Sequence, residues 1–519
     1  MRLGWRWLWQ AVRPDLAIDR PTVGFVLTRL VLPVSALLAA HFGLRMAYAG
    51  CVEPDDADLI LYTQRLAWGY SDQGPLYPWL CELAFRVFGI GEVALTAVRC
   101  AILFVGCVLL YHNARLLCRD KHLALLAGYS VLLIPNLSWH ALVYLTHTNL
   151  LLVVCLAALF VFLRLVRDGR TSDYLLFGAA CGAGVVSKYN FVWFAAALVA
   201  AGMTVAPVRR RLLDCRLLLA GVVCGLIVLP HALWVLDHRE TLRQVLQTKA
   251  HRAGTAYASY FTRVGRGTWD VVSAGVIMSV PVAVMVALLF PSGRSSPDPD
   301  PGRAAARLVL GRFFVLVVLV ILAQIYLLGV SRFHERWLQP FVVVFPLWLF
   351  AGIDPAAVRP GRARAFAVLL VLFAVAYTAA RAVQVTVFVD QPRGLYPLQL
   401  SFDELARRIE AEAGDRPTIL TPEREVGGNL LLQMPDATVC CTAEPLYPVE
   451  PGDGPMVVVW NLGLTRGHMV LPWFAMVDFR DRYERPIPPE AIRTVEVAPA
   501  AKGKLPTVIA YVVLPGAGG

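Results

Sequence analysis

Four carboxylates crowd into the stretch Glu53-Pro54-Asp55-Asp56-Ala57-Asp58. One such group at the mouth of a water-lined cavity can take the proton of an acceptor hydroxyl as a general base. The same residues also suit a solvated helix N-terminus, where negative charge meets the positive end of the dipole. A third use is oxygen coordination of a divalent cation by Asp55, Asp56 and Asp58, for which clustered carboxylates alone are a weak signal. The second concentration of charge is basic. Between residues 237 and 268 stand Arg239, Arg243, Lys249, His251, Arg252, Arg263 and Arg266, a set that could clamp phosphoryl oxygens or attract anionic headgroups. Lys188, in Ser187-Lys188-Tyr189, separates two apolar runs; an ammonium there is costly unless it snorkels or meets an anion, and the anion is the favoured reading. His334 and Arg336 flank another apolar run beside Trp337, where an interfacial anchor is an equal alternative.

These residues must be held by elements that live in a bilayer. Of 519 residues, 57% are hydrophobic and only 16% charged, and the apolar residues gather into runs of about 15 to 25, the length that crosses roughly 30 Å of hydrocarbon as helix. The net charge of +11, from 48 Lys and Arg against 37 Asp and Glu, sits in short loops between those runs. That distribution is a topology signal and excludes a nucleic-acid footprint. Cys100, Cys107, Cys155, Cys181 and Cys224 lie inside apolar runs as small hydrophobes, and no metal-ligand spacing is present. Cys51 and Cys81 face one oxidising compartment in the topology below and form a candidate disulfide, whereas adjacent Cys440 and Cys441 are poor partners for each other.

The first apolar run, 22 to 48, is too long for a signal peptide and reads as an uncleaved span. Further spans are expected at 93–112, 122–139, 149–166, 174–187, 190–206, 217–236, 269–290, 313–330, 338–352 and 365–385, making about eleven in all. The basic residues Arg2, Arg6, Arg13 and Arg20 precede the first span. Alternate loops carry the excess of Lys and Arg, including Arg115, Arg119 and Lys121, then Arg209 to Arg211, and Arg359, Arg362 and Arg364. Those loops are therefore cytoplasmic, as is the Pro/Ser/Asp-rich linker 291–303 with Arg294, and the odd span number places the C-terminal segment outside. The division expected is a transmembrane domain over 1–385, with an acidic outer loop at 49–92, and an extracytoplasmic domain over 386–519. The latter reads as small α/β: a helix from Phe402 to Ala413, a strand at Thr418, a helix over Gly428 to Gln433, and strands at Thr438 and Met456. No glycine-rich phosphate loop opens a helix there, so acceptor binding or scaffolding is its expected part.

The acidic stretch is followed by Gly69-Tyr70-Ser71-Asp72-Gln73-Gly74-Pro75-Leu76 and an amphipathic segment ending Phe85-Arg86-Val87-Phe88-Gly89. This order resembles the polyprenyl-phosphate-dependent glycosyltransferases of the GT-C type, family 39, which include protein mannosyltransferases and lipid A aminoarabinose transferases. Further matches are Leu145-Thr146-His147-Thr148-Asn149, Ser187-Lys188-Tyr189-Asn190, Leu229-Pro230-His231, His334-Glu335-Arg336-Trp337-Leu338-Gln339-Pro340 and, near the C-terminus, Gly427-Gly428-Asn429-Leu430. Asp56 stands where the family commonly has Glu, and Gly74 replaces the first of two prolines.

The resemblance implies an α-helical polytopic membrane protein of the bacterial inner membrane with its site at the outer face. It implies an inverting transfer of sugar from a polyprenyl-phosphate carrier to a glycan, lipid or protein acceptor. Its catalytic acid position falls on Asp55, with Asp56 as neighbour and Asp72 as a second candidate. Lys188, Arg243, Lys249, Arg252 and Arg336 are the cations expected to meet the donor phosphate. No cofactor is required, and a divalent cation is left open. The competing reading is a transporter or lipid flippase, for which inverted repeats and matching Gly/Pro-broken spans would be expected and are not seen. A membrane-anchored scaffold would not need the acidic loop.

Overall fold

A computed structural model of the chain describes residues 21–48, 51–143, 145–250, 259–290, 298–386, 402–452, 454–462, 491–498 and 507–514. Arg2, Arg6, Arg13, Arg20, His251, Arg252 and Arg294 lie outside these residues, as does the side chain of Lys249. Two compact units emerge: Met1–Ala40 with Arg99–Thr378, and His41–Val98 with Ala379–Gly519.

The first unit is helical. Among the described residues of the chain, seven helices are long and apolar enough to cross a membrane: Val23–Ala47, Glu92–Leu117, His147–Arg167, Leu217–Asp237, Tyr260–Leu289, Pro301–Leu328 and Pro360–Gln384. An eighth results if Lys121–Leu133 and Pro135–Val143, bent by 69°, form one span. The bend has a local cause, since Pro135 supplies no N–H and pushes Ile134 into an extended conformation. Three other expected spans are helical but fall short as single crossings. Thr171–Ser187 has 17 residues and Phe191–Met203 has 13. The stretch 338–352 is divided into Glu335–Val342 and Phe345–Phe350, with Pro340 inside the first and Pro346 opening the second.

His147–Arg167 is the inner helix, 83% buried over its apolar window against 11% for Leu217–Asp237. The latter leaves Leu218, Leu226, Leu229, Leu233 and Leu236 exposed, as a lipid-facing surface should. With no water to drive helices together in lipid, close contact relies on small residues and interhelical polar bonds. A Cβ on Gly178 would lie 2.3 Å from the Ala220 carbonyl oxygen, so Thr171–Ser187 can approach Leu217–Asp237 only through glycine. Arg164 pairs with Asp173 at 2.9 Å, both buried. Asn113 donates to the Leu156 carbonyl at 2.9 Å, joining Glu92–Leu117 to the inner helix.

The second unit contains a five-stranded sheet in the order β2-β1-β3-β5-β4, where β1 is Thr418–Thr421, β2 Thr438–Cys441, β3 Met456–Asn461, β4 Arg493–Ala498 and β5 Thr507–Leu514. The three strands expected from sequence pair in parallel, and β5 and β4 extend the sheet antiparallel from β3. Leu420, Val458, Trp460, Ala510, Val512 and Leu514 pack on one face. The expected helix Phe402–Ala413 is present, burying Leu405 and Ile409, and the second helix begins earlier than expected, at Arg424, and ends at Gln433. The same unit contains Pro54–Leu61 and Leu76–Phe88. Leu76–Phe88 buries Tyr77, Cys81 and Phe85 at helical spacing and stops at Gly89, whose φ of 81° few other residues adopt. Cys51 and Cys81 are both buried and stand as thiols, not as a disulfide.

Candidate active site

The acidic stretch folds as the helix Pro54–Leu61 because Pro54 presets the first helical position and Asp55 and Asp56 meet the N-terminal dipole. The helix then gives its carboxylates different surroundings. Asp56 is fully buried and lies 2.5 Å from a guanidinium nitrogen of Arg45, itself 2% exposed. Arg45 also bonds Glu92 and comes within 3.9 Å of Glu53. Asp58 turns to another arginine, with Arg424 Nη1 at 2.6 Å, and that guanidinium reaches Glu444 at 3.1 Å. Tyr62 donates to the second Glu444 oxygen at 3.1 Å. Burial holds the Glu444 carboxyl above its ordinary range and pushes the Tyr62 phenol well up, with Glu444 adding to the latter.

Asp55 differs from both neighbours. It is exposed and carries no ion pair among the described residues. Of the three aspartates it is the one a substrate hydroxyl can reach without breaking a buried bond. Asp72 is half-buried, and its charge contributes to raising Glu444. Asp56 and Asp58 point to separate arginines and do not converge with Asp55. Among the described residues no three His, Cys, Asp or Glu side chains are grouped to hold a metal ion.

The basic candidates belong to the first unit. Lys188 follows Thr171–Ser187, and its ammonium donates to the Thr148 hydroxyl at 3.0 Å. Arg243 is exposed on the helix Arg239–Ala250, whose last turn includes Lys249. Arg336 lines a cavity of about 720 Å³ together with His140, Asp270, Arg332, Glu335 and Gln339. Asp270 accepts the Phe333 N–H at 3.1 Å, and Glu335 accepts from the Asn136 amide. Arg332 and Arg336 form no ion pair among the described residues. Gln339, 1% exposed, donates to the Asn136 carbonyl at 3.0 Å while its own oxygen has no hydrogen-bond partner among the described residues. The cavity thus offers two unmatched guanidinium groups and a buried acceptor, a lining suited to an anion that also carries hydroxyls.

Sequence reasoning singled out Arg336 but not Arg332, Asp270 or the acceptor role of Gln339. It also passed over Arg45, although an arginine at the end of an apolar run, just before four carboxylates, was a usable signal.

Residues 72–234 match the family model described as dolichyl-phosphate-mannose-protein mannosyltransferase. The lipopolysaccharide core galacturonosyltransferase RgtB of Rhizobium johnstonii is 30% identical over 441 residues, covering 83% of this chain and 87% of the relative. RgtA of the same organism, also a lipopolysaccharide core galacturonosyltransferase, is 29% identical over 449 residues, with 84% and 87% covered. In fold the chain is similar to the crystal structure of ArnT from Cupriavidus metallidurans bound to undecaprenyl phosphate. The TM-score is 0.58 at 14% identity, over 93% of this chain and 98% of that one.

Proposed function

The chain belongs to the GT-C glycosyltransferases of family 39, and from that premise we propose that it transfers a uronic acid from a polyprenyl-phosphate carrier to the lipopolysaccharide core. The observation that carries the mechanism is the exposure of Asp55 beside two arginine-bound aspartates. Asp55 accepts the proton of the acceptor hydroxyl as its oxygen attacks C1 of the sugar. The C1–O bond to phosphate breaks with inversion, and the polyprenyl phosphate leaves with the bonding pair. Negative charge near C1 favours the oxocarbenium-like centre, and cations favour the leaving phosphate. Asp56 and Asp72 hold the local field rather than the proton.

Arg336, with Arg332 beside it, meets the anionic headgroup of the donor, and Lys188, Arg243, Lys249 and Arg252 complete the cationic set. The carboxylate of a uronic acid gives the donor a second anion, which suits a cavity with two unmatched arginines. The relatives' named activity supports the choice of sugar and acceptor.

The eleven passages expected from sequence are retained by counting the bent pair, the two short helices and the broken 335–350 stretch as crossings or partial crossings. The excess of basic residues in alternate loops then puts the N-terminus in the cytoplasm of an inner-membrane protein and residues 386–519 outside.

The test is transfer by purified protein from a radiolabelled polyprenyl-phosphate galacturonate. Asp55→Asn should lower kcat by about 100-fold or more with donor KM little changed. Wild-type turnover in Asp55→Asn would remove the assigned base.

A further inference from the structure

We propose that Asn429, with Gly428 and Arg424 on the same helix, is a positioning residue that sets the placement of Asp55; this rests on Asp55 being the base. Asn429 is 1% exposed, and its side-chain amide binds one residue on both sides of its backbone. The Val52 N–H donates to Oδ1 at 2.9 Å, and Nδ2 donates to the Val52 carbonyl at 3.1 Å. Val52 is itself 1% exposed, so neither backbone group has water to turn to. A third bond, from Nδ2 to the Glu425 carbonyl at 2.9 Å, fixes the amide against its own helix.

One residue earlier, Gly428 sits against the acidic helix. A Cβ there would lie 2.4 Å from the Ala57 carbonyl oxygen and 2.6 Å from the Ala57 Cβ, so only glycine allows this approach. One turn earlier, Arg424 holds Asp58 at 2.6 Å. Asn429, Gly428 and Arg424 therefore grip Val52, Ala57 and Asp58, which bracket Asp55 in sequence, and Asp55 itself is left exposed. This gives a use to the Gly427-Gly428-Asn429 motif that composition and pattern leave unexplained. It also gives residues 424–433 a share in catalysis without contact with substrate. Displacing a reacting group by about 1 Å can cost on the order of 100-fold in rate, so a clamp on its flanks is a rate determinant.

The experiment is a double-mutant cycle on purified full-length protein, with transfer from the radiolabelled polyprenyl-phosphate sugar as readout. Asn429→Ala should lower kcat by roughly 10-fold or more while donor KM stays within about twofold. In the Asp55→Asn background the same change should cost less than about twofold, because a residue acting through the base has nothing left to act on. Should Asn429→Ala fail to fold, Arg424→Gln at an exposed position takes its place in the cycle, with the same pattern at smaller size. Tyr511→Phe, which removes a 2.8 Å bond to Glu412 within the same unit, should leave kcat unchanged. Wild-type kcat in Asn429→Ala, or an equal loss with and without Asp55, overturns the positioning role while the base reading stands. Full activity in Asp55→Asn overturns both.

Discussion

Replacing Arg45 by methionine isolates what the buried ion pair contributes to the site. The guanidinium faces three carboxylates, but they are not equivalent: the Asp56 side chain is 1% exposed, and those of Glu53 and Glu92 are 15% and 14% exposed. Glu53 and Glu92 can recover some hydration; Asp56 cannot. Removing one partner of such a pair leaves an uncompensated buried charge, which typically costs about 3–5 kcal/mol, although the intact pair contributes much less than that. Arg45→Met should therefore lower the thermal transition of the detergent-solubilised protein, read by a thiol-independent fluorescence or scattering assay. The double variant Arg45→Met/Asp56→Asn should recover at least half of the loss, because the stranded charge has gone. An unchanged transition in Arg45→Met would refute the reasoning. So would a double variant no better than Arg45→Met, since the cost would then come from lost packing and not from Asp56.

Two further outcomes follow from the cavity and from the sheet-bearing unit. Arg332→Ala should raise donor KM several-fold in detergent without anionic lipid, whereas Arg266→Ala, exposed near the start of Tyr260–Leu289, should have an effect of about twofold or less that fades with salt; equal, salt-sensitive effects would point to surface attraction instead. The Glu425 carboxyl is raised from 4.5 to about 8 by burial, then by Glu53 and Glu423, so its contribution to stability is fully present below about 4.5 and is lost as pH rises through about 8. Glu425→Gln should accordingly raise the thermal transition at pH 9 and leave it unchanged at pH 5, and a gain at both pH values would sink the assignment.

Much of this was legible in the sequence, for reasons that differ by element. Long apolar runs announce helices in lipid because the bilayer demands length and satisfied backbone together, so His147–Arg167 and Leu217–Asp237 could be placed closely, whereas Pro301–Leu328 begins 12 residues before the expected 313. The broken stretch 335–350 was harder, since hydropathy averages over Pro340 and Pro346. Strands β1 to β3 stand out as short β-branched runs, while β4 and β5, beyond residue 490, pair with each other as sequence neighbours and join the sheet through the longer-range pairing of β5 with β3. The acidic helix is the clearest limit. Composition marks Asp55, Asp56 and Asp58 alike, and what separates them is Arg45, 11 residues before Asp56, and Arg424, 366 residues after Asp58. Helical rotation alone predicts that adjacent aspartates differ in burial, but not which one faces in. The cavity is of the same kind, since Asp270 and Arg332 converge there from separate elements.

The most direct measurement is a donor comparison with one purified protein and one lipopolysaccharide core acceptor. Radiolabelled galacturonate is supplied either on polyprenyl phosphate or on a nucleotide, to wild type and to Asp55→Asn. The account predicts transfer by the wild type from the polyprenyl phosphate alone, lost by about 100-fold or more in Asp55→Asn. Transfer from the nucleotide sugar, or undiminished transfer by Asp55→Asn, would contradict it.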